Sequence, residues 1–347
     1  MPQYPTVFLL LLTSLLSAQY TDQINSNRPG ASIGAFSVGK GVIQFEGGFE
    51  YRKYKHEEYN FSSVEGTLAF LSLRWGLLAE QLELTYQGAF MFDRLTNKIP
   101  SKDINLERKG FLYNYLGLKI LFFDPFRNGR KINLYSWNAN NKFKLRDLIP
   151  AISLTAGGNF ILGKNNPYPF GDVYDILYRP IFFQNLNLPT EREPRFSLRS
   201  VLATQSHFLG TWVFVTNFIY ERYLTNHPEK SYILTLTHNL HPLWSVYIEN
   251  QGIFGDRYKD LIFRMGAAYL LTDDIQAEGS FGLSAKTNPS SVFINLGVSY
   301  RLDFHKEYVS GAEIEFKEAK KQERELKKTM KKSNKAERKR SRKAKRI

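Results

Sequence analysis

The sequence predicts an all-β protein, a single transmembrane antiparallel up-and-down β-barrel of about 12 strands. Apolar and polar residues alternate with a period of two along many segments. Several segments reach roughly 11–14 residues, near the length of about 9–11 that a tilted strand needs to cross a membrane. A soluble β-sandwich is the alternative, but its strands commonly have only about 5–6 residues. No run of about 18 uncharged apolar residues occurs, which excludes a helical membrane protein.

The N-terminus has the features of a secretory signal peptide. Residues 7–16 form an apolar run of the length of a signal-peptide core, followed by Ser17 and Ala18. We expect residues 1–18 to be removed after Ala18, with a buried N-terminal segment as the alternative. Residues 19–41 are polar and rich in turn-forming residues, so we expect a periplasmic lead-in to the barrel.

Twelve segments alternate in this way. In chain order they are residues 42–54, 59–75, 81–93, 111–123, 151–162, 195–205, 211–223, 231–238, 243–254, 260–271, 275–285 and 291–304. In the first of them, Ile43 and Phe45 share the face opposite to Gln44 and Glu46. The apolar face is expected to meet lipid, because an Arg or Lys on that face at mid-membrane costs about 2–4 kcal/mol. The polar face is therefore expected to line the lumen.

The lengths of the connections support an up-and-down order. Short turns are predicted on the periplasmic side at residues 76–79, 207–210, 239–242 and 271–274. Longer loops at residues 94–109 and 163–194 fall outside, as is usual for such barrels. The Asn- and Lys-rich connector at residues 124–150 is the exception. An even strand count predicts a bacterial outer-membrane barrel with both termini in the periplasm.

The last predicted strand, residues 291–304, carries a second signal. Its pattern resembles the C-terminal sequence by which the barrel-assembly machinery recognises its substrates. The residues that carry this resemblance are Asn295, Gly297, Tyr300, Leu302 and Phe304. We therefore expect the barrel to occupy residues 42–304 and to contact outer-membrane lipid.

The chain continues past that strand with a basic tail. Residues 305–347 contain 17 Lys and Arg against 7 Glu, which accounts for most of the net charge of +14. Such a charge-rich segment is predicted to be helical or disordered. In the periplasm it would meet no nucleic acid. An acidic periplasmic protein or peptidoglycan carboxylates are the expected counter-charges, with a passive tail as the alternative.

Eight charged residues are predicted to face the lumen: Glu46, Glu50, Arg74, Glu83, Glu249, Arg264, Glu278 and Arg301. They could form a selectivity lining or an internal network of ion pairs that fills a narrow barrel. Arg74 and Glu83 flank one turn on adjacent strands, so we expect them to pair.

No catalytic, metal or cofactor site is predicted. Cysteine is absent, which excludes a thiolate nucleophile or ligand. A barrel hydrolase would need a serine activated by a histidine, and none of the six histidines has a suitable neighbour in sequence; they are His56, His207, His227, His238, His241 and His305. The aromatic residues of the long loop at 163–194 could gate the mouth of the barrel.

Several short motifs occur in an order that is typical of one family. They are Arg28-Pro29-Gly30, Gly39-Lys40-Gly41 with Gln44-Phe45-Glu46, Arg74-Trp75-Gly76-Leu77 with Glu83-Leu84, Gly117-Leu118-Lys119, Tyr269-Leu270-Leu271-Thr272-Asp273, and Gly297-Val298-Ser299-Tyr300-Arg301. Over residues 27–304 the chain resembles the outer-membrane barrels named for the meta-pathway of phenol degradation, a transporter family of Bacteroidetes-type bacteria. The tail and the connector at residues 124–150 depart from that pattern.

The resemblance implies a non-enzymatic transporter or channel for small solutes, aromatic or apolar ones among them, without a cofactor. The alternative is an accessory or anchoring subunit of an envelope complex, with a periplasmic partner recruited by the basic tail.

Overall fold

A closed twelve-stranded antiparallel barrel is the architecture of the chain in the computed structural model. The structure describes residues 24–28, 30–58, 61–99, 102–125, 144–180 and 193–304. The predicted signal peptide, the tail and most of the connector at 124–150 lie outside the described residues. No helix in the described ranges is long and apolar enough to cross a membrane.

The strands follow the predicted order closely. They are β1 (Val42–His56), β2 (Ser62–Gly76), β3 (Leu82–Ile99), β4 (Lys102–Phe123), β5 (Ala151–Phe160), β6 (Phe196–Phe208), β7 (Trp212–Tyr223), β8 (Glu229–His241), β9 (Trp244–Phe254), β10 (Lys259–Thr272), β11 (Ile275–Ser284) and β12 (Ser290–Asp303). Each strand pairs with its sequence neighbours, and β1 pairs with β12 from Val42–Asp303 to Lys55–Ser290. This last pairing closes the sheet and removes its edges.

The prediction of a loop at residues 94–109 is wrong. The ladder of β3 and β4 continues to Ile99 and Lys102, so these residues form a long hairpin. Arg94 pairs with Glu107 across it, and Thr96 donates a hydrogen bond to Asn105. The outward face of this part of the hairpin is polar, and its inward face mixes Leu95 and Leu106 with Asn97, so the apolar-out, polar-in alternation of the other strands is absent.

The barrel has an apolar exterior, and its interior combines many buried polar residues with one large apolar cluster. Phe49, Ile248 and Leu296 are 60–66% exposed on the outer face, whereas Gln44 and Arg74 inside are 1% exposed. This distribution is the reverse of that in a soluble protein and is the pattern of a membrane barrel.

Two chain segments occupy the interior. We call the end where β1 begins and β12 ends the near end, and the opposite one the far end. The luminal segment, residues 24–28 and 30–38, enters at the near end. The cap, residues 163–180, folds in from the far end and contains the short helix α1 (Val173–Leu177).

Candidate functional site

The luminal segment lies inside the barrel, although residues 19–41 were expected to form a periplasmic lead-in. Its backbone N–H groups donate to side chains of several strands. The pairs are Asn27 to Glu46, Ala31 and Ser32 to Glu249, Ile33 to Asn217, Ala35 to Gln205, and Val38 to Glu83. These acceptors come from β1, β9, β7, β6 and β3, so the segment is held from all sides of the near half.

Buried cations hold the backbone carbonyls of the same segment. Lys119 of β4 donates to the carbonyls of Gly34 and Phe36, both at 2.7 Å. Arg74 of β2 donates to the carbonyls of Asn25 at 2.8 Å and Phe36 at 3.1 Å. Carboxylate and amide oxygens of the wall therefore accept hydrogen bonds from the backbone N–H groups of the segment, and cations donate to its carbonyls. These bonds replace the ones that a strand would make in a sheet.

Arg74 is the centre of this buried network. Its Nε lies 2.8 Å from Oε1 of Glu83 and its Nη2 lies 2.9 Å from Oε2, a bidentate pair. Its Nη1 is 3.6 Å from Glu46. The side chains of all three residues are about 1% exposed or less. The pair expected from the sequence is thus present, and it also anchors the luminal segment.

Three glycines permit the backbone conformation of the luminal segment and of the turn that follows it. A Cβ on Gly30 would lie 2.7 Å from the carboxylate of Glu249 and would displace it from its hydrogen bonds with Ala31 and Ser32. Gly39 and Gly41 adopt φ of 92° and 76° in the turn that leads from the segment into β1. L-residues with side chains rarely adopt such angles.

The cap closes the far half by apolar packing and ion pairs. Tyr168, Ile176 and Leu177 are fully buried in a cluster with inward apolar residues of the barrel. At its rim, Asp172 pairs with Arg222 of β7, and Arg257 bonds to Glu193 at 3.1 Å. The aromatic loop predicted at 163–194 therefore folds into the mouth over the part that the structure describes.

A central chamber remains between the luminal segment and the cap. Its volume is about 270 Å³. Arg28 and Ala31 belong to its floor, and Phe170 and Val173 to its roof. Strand side chains form the wall, and they include both charged and apolar groups.

All eight predicted lumen residues face inward, and most are paired. Glu50 pairs with Arg52, Arg264 lies 3.0 Å from Glu249, and Arg301 lies 3.0 Å from Asp303. Glu278 accepts hydrogen bonds from Gln276 and Ser299. The structure therefore places the eight in several groups: Glu46 with Arg74 and Glu83, Glu249 with Arg264, and the remaining three with other neighbours.

The predicted assembly-signal residues extend from the middle of β12, at Asn295, to Phe304 just past its near end. Tyr300 and Phe304 are exposed on the outer face, whereas Asn295 is buried inside. Their recognition by assembly machinery stays a prediction.

The described histidines have packing or turn contacts. His238 stacks on Trp212 at 4.1 Å between ring centroids, and His207 packs against Phe36 at 5.6 Å. His227 pairs with Asp256. Among the described residues, no group of three or more metal-ligating side chains that could hold a metal ion is found.

The sequence did not predict that a segment occupies the lumen, that Lys119 binds this segment, or that a chamber remains beside it. The inward-facing polar residues of the near half could have indicated that a segment binds there. Asn217 and Gln205 are amides on lumen-facing positions, and Lys119 is a lumen-facing cation. Such a density of buried polar groups requires partners, and the preceding polar segment is long enough to supply them.

Comparison with known protein families gives a match. A family model described as "Putative MetA-pathway of phenol degradation" matches residues 26–172 and 182–302. Among curated proteins there is no significant match.

Similar solved structures include the COG4313 outer membrane channel from Pseudomonas putida F1, with 12% identity and a TM-score of 0.47 over 81% of this chain and 100% of that one. The NanC porin has 10% identity and a TM-score of 0.43, over 75% and 100% of the two chains. The translocator domain of the autotransporter NalP from Neisseria meningitidis has 8% identity and a TM-score of 0.42, over 80% and 90%.

Proposed function

The chain belongs to the phenol-degradation MetA-pathway family, whose model covers most of the barrel, and on this premise we propose that it is a non-enzymatic outer-membrane channel for small solutes. Both termini lie in the periplasm, so the near end is the periplasmic end. The eight inward charges and the chamber line the path, and small aromatic or apolar solutes are the cargo.

The observation that supports this proposal most is the polar chamber between two segments that block the lumen. Each blocking segment is joined to the barrel by non-covalent contacts, which permits its displacement. The luminal segment makes mostly hydrogen bonds with the wall, which water can replace. We propose that solute passage requires the luminal segment and the cap to move aside.

Planar bilayers test the channel directly. Purified full-length mature protein is expected to give discrete conductance steps with long closed periods, because both blocks must open at once. Liposomes that contain it are expected to take up a small aromatic solute. Bilayers that stay sealed, together with liposomes that take up no solute of a broad panel, would contradict the proposal.

Acid is expected to favour the closed cap. Burial, with the nearby Asp172, raises the pKa of Asp175 in α1 from 3.8 to about 6, against the opposing effect of Arg179 and Arg222. The docked cap therefore binds this proton more tightly than an undocked cap, whose carboxyl group would keep its ordinary pKa in water. Docking strengthens as the pH falls through 6, by roughly tenfold in equilibrium constant between pH 7.5 and 5.

The measurement is the frequency of openings across that pH range. We expect it to fall with a midpoint near pH 6, and we expect Asp175→Asn to remove this dependence and hold the low-frequency state. The exposed Asp103 on the β3–β4 hairpin offers a control, Asp103→Asn, that should keep the dependence of the unmodified chain. Openings that increase toward pH 5, or an unchanged profile in Asp175→Asn, would count against this role.

A second function is proposed for the basic tail. Its 17 Lys and Arg against 7 Glu support docking to an acidic periplasmic protein or to peptidoglycan, with the barrel as an anchor. Removal of residues 305–347 is expected to abolish co-purification of that partner while the folded barrel keeps its altered mobility on unheated gels. An unchanged set of co-purifying components would refute the docking role.

A further inference from the structure

Arg28 is a cation of the central chamber with an unusual environment. It belongs to the luminal segment, and its guanidinium carbon lies 3.9 Å from the centre of the Phe70 ring on β2. Stacking on a ring fixes the plane of a guanidinium while its N–H donors, which lie in that plane, stay available.

The other chamber arginines are neutralised. Arg264 is 3.0 Å from Glu249, Arg199 is 2.6 Å from Glu221, and Arg52 is paired with Glu50. For Arg28, the described part of the chain contains no carboxylate at ion-pair distance. Glu50 and Glu278 lie near enough to interact electrostatically with Arg28 but are not at ion-pair distance, so its in-plane N–H donors can still bind an anion.

The chamber wall also contains polar atoms without partners. Oγ of Ser291 and Oδ1 of Asn295, both on β12, have no hydrogen-bond partner in the described structure, and the two residues are 3% and 4% exposed. Nδ2 of Asn295 donates to Glu50 at 3.3 Å, which leaves Oδ1 as an acceptor. A ligand hydroxyl group could satisfy these atoms.

Apolar side chains complete the wall. Phe70 and Phe293 line the chamber together with Leu68, Ile233 and Ile262. The volume of about 270 Å³ is just below the roughly 300–1,000 Å³ of pockets for drug-sized ligands, which suits a ligand with a single ring.

We propose that the central chamber binds a small organic anion with one carboxylate on Arg28 and a ring-sized apolar body against the wall formed by Leu68, Ile233, Ile262 and Phe293. A hydroxyl group on that body reaches Ser291 and Asn295. This inference rests on the proposed channel function and names the class of solute that the channel selects.

The test is calorimetric titration of the full-length protein in detergent micelles with 4-hydroxybenzoate and its neutral isostere 4-hydroxybenzamide. The acid is expected to bind, and the amide is expected to bind roughly 10- to 100-fold more weakly, the factor for loss of a hydrogen bond to a charged group. Arg28→Gln is expected to weaken the acid by the same factor and to leave the amide unchanged. Acetate lacks the ring, so its affinity should be lower than that of 4-hydroxybenzoate.

Three results would overturn the inference. They are equal binding of 4-hydroxybenzoate and 4-hydroxybenzamide, no binding of either compound, and an undiminished affinity for 4-hydroxybenzoate in Arg28→Gln. Arg94→Gln on the exposed hairpin is the matched control and should bind as the unmodified chain does. Altered mobility on unheated gels verifies that each variant is folded. Because titration needs no conduction, acid binding without conductance would refute only the channel, whereas conductance without acid binding would refute only this site.

Discussion

Oxidation of the double variant Ser26→Cys/Ser299→Cys is expected to stop the channel openings that the same protein gives when reduced. Ser26 Oγ of the luminal segment lies 2.8 Å from Ser299 Oγ of β12, so two cysteines there can form a disulfide after a small adjustment. The chain has no cysteine of its own, and the bond would therefore be the only one. It would fix the luminal segment at both ends, since the segment already continues into β1.

The expected effect is large. A disulfide typically stabilises the arrangement in which its cysteines already meet by about 2–4 kcal/mol, mainly because it restricts the alternative, displaced state. At 1.4 kcal/mol per factor of ten, this lowers the open fraction roughly 30- to 700-fold. The measurement is bilayer conductance before and after addition of a thiol reductant to the oxidised protein, with each single cysteine variant as a control.

We expect the double variant to regain its openings when the disulfide is reduced. The single cysteine variants should open equally often with and without the reductant. If fully cross-linked protein conducts as the reduced protein does, the luminal segment is not the barrier and solute passes beside it.

The barrel itself could be predicted because strand periodicity is a local property. On β1 the alternation of Gln44 and Glu46 with Phe45 and Phe49 is visible in the sequence, and burial in the structure follows it. The hairpin at residues 94–109 was not predicted because its outward face is polar and its inward face mixes Leu95 and Leu106 with polar residues. Its buried cross-strand pair, Arg108 with Asp93, becomes apparent only when the register is known.

The luminal segment could not be recognised from periodicity at all. Its partners lie far away in the chain: Ile33 contacts Asn217, and Ala35 contacts Gln205. The contacts use its backbone N–H groups, which every residue except proline possesses, so side-chain identity carries almost no record of them. Gly30 is a partial exception, since its missing Cβ makes room for the carboxylate of Glu249.

Arg74→Ala is expected to destabilise the barrel more than any exterior change of the same kind. The substitution leaves Glu83 buried without its bidentate partner and removes two donors from the carbonyls of Asn25 and Phe36. Loss of one partner of a buried ion pair typically costs about 3–5 kcal/mol. The free energy of unfolding, measured by guanidinium titration of tryptophan fluorescence in lipid vesicles, is expected to fall by this amount.

Arg94→Ala is the matched control, because Arg94 also bonds a glutamate across two strands, at 2.9 Å to Glu107. Its side chain is 63% exposed, and water replaces the lost contact, so little change is expected. The double variant Arg74→Met/Glu83→Met should recover part of the loss, since it removes the unpaired carboxylate of Glu83 while Glu46 keeps its hydrogen bonds from Asn27 and Gln44. Equal effects of Arg74→Ala and Arg94→Ala would mean that water reaches Arg74 and Glu83, and that the luminal segment does not seal the near half of the barrel.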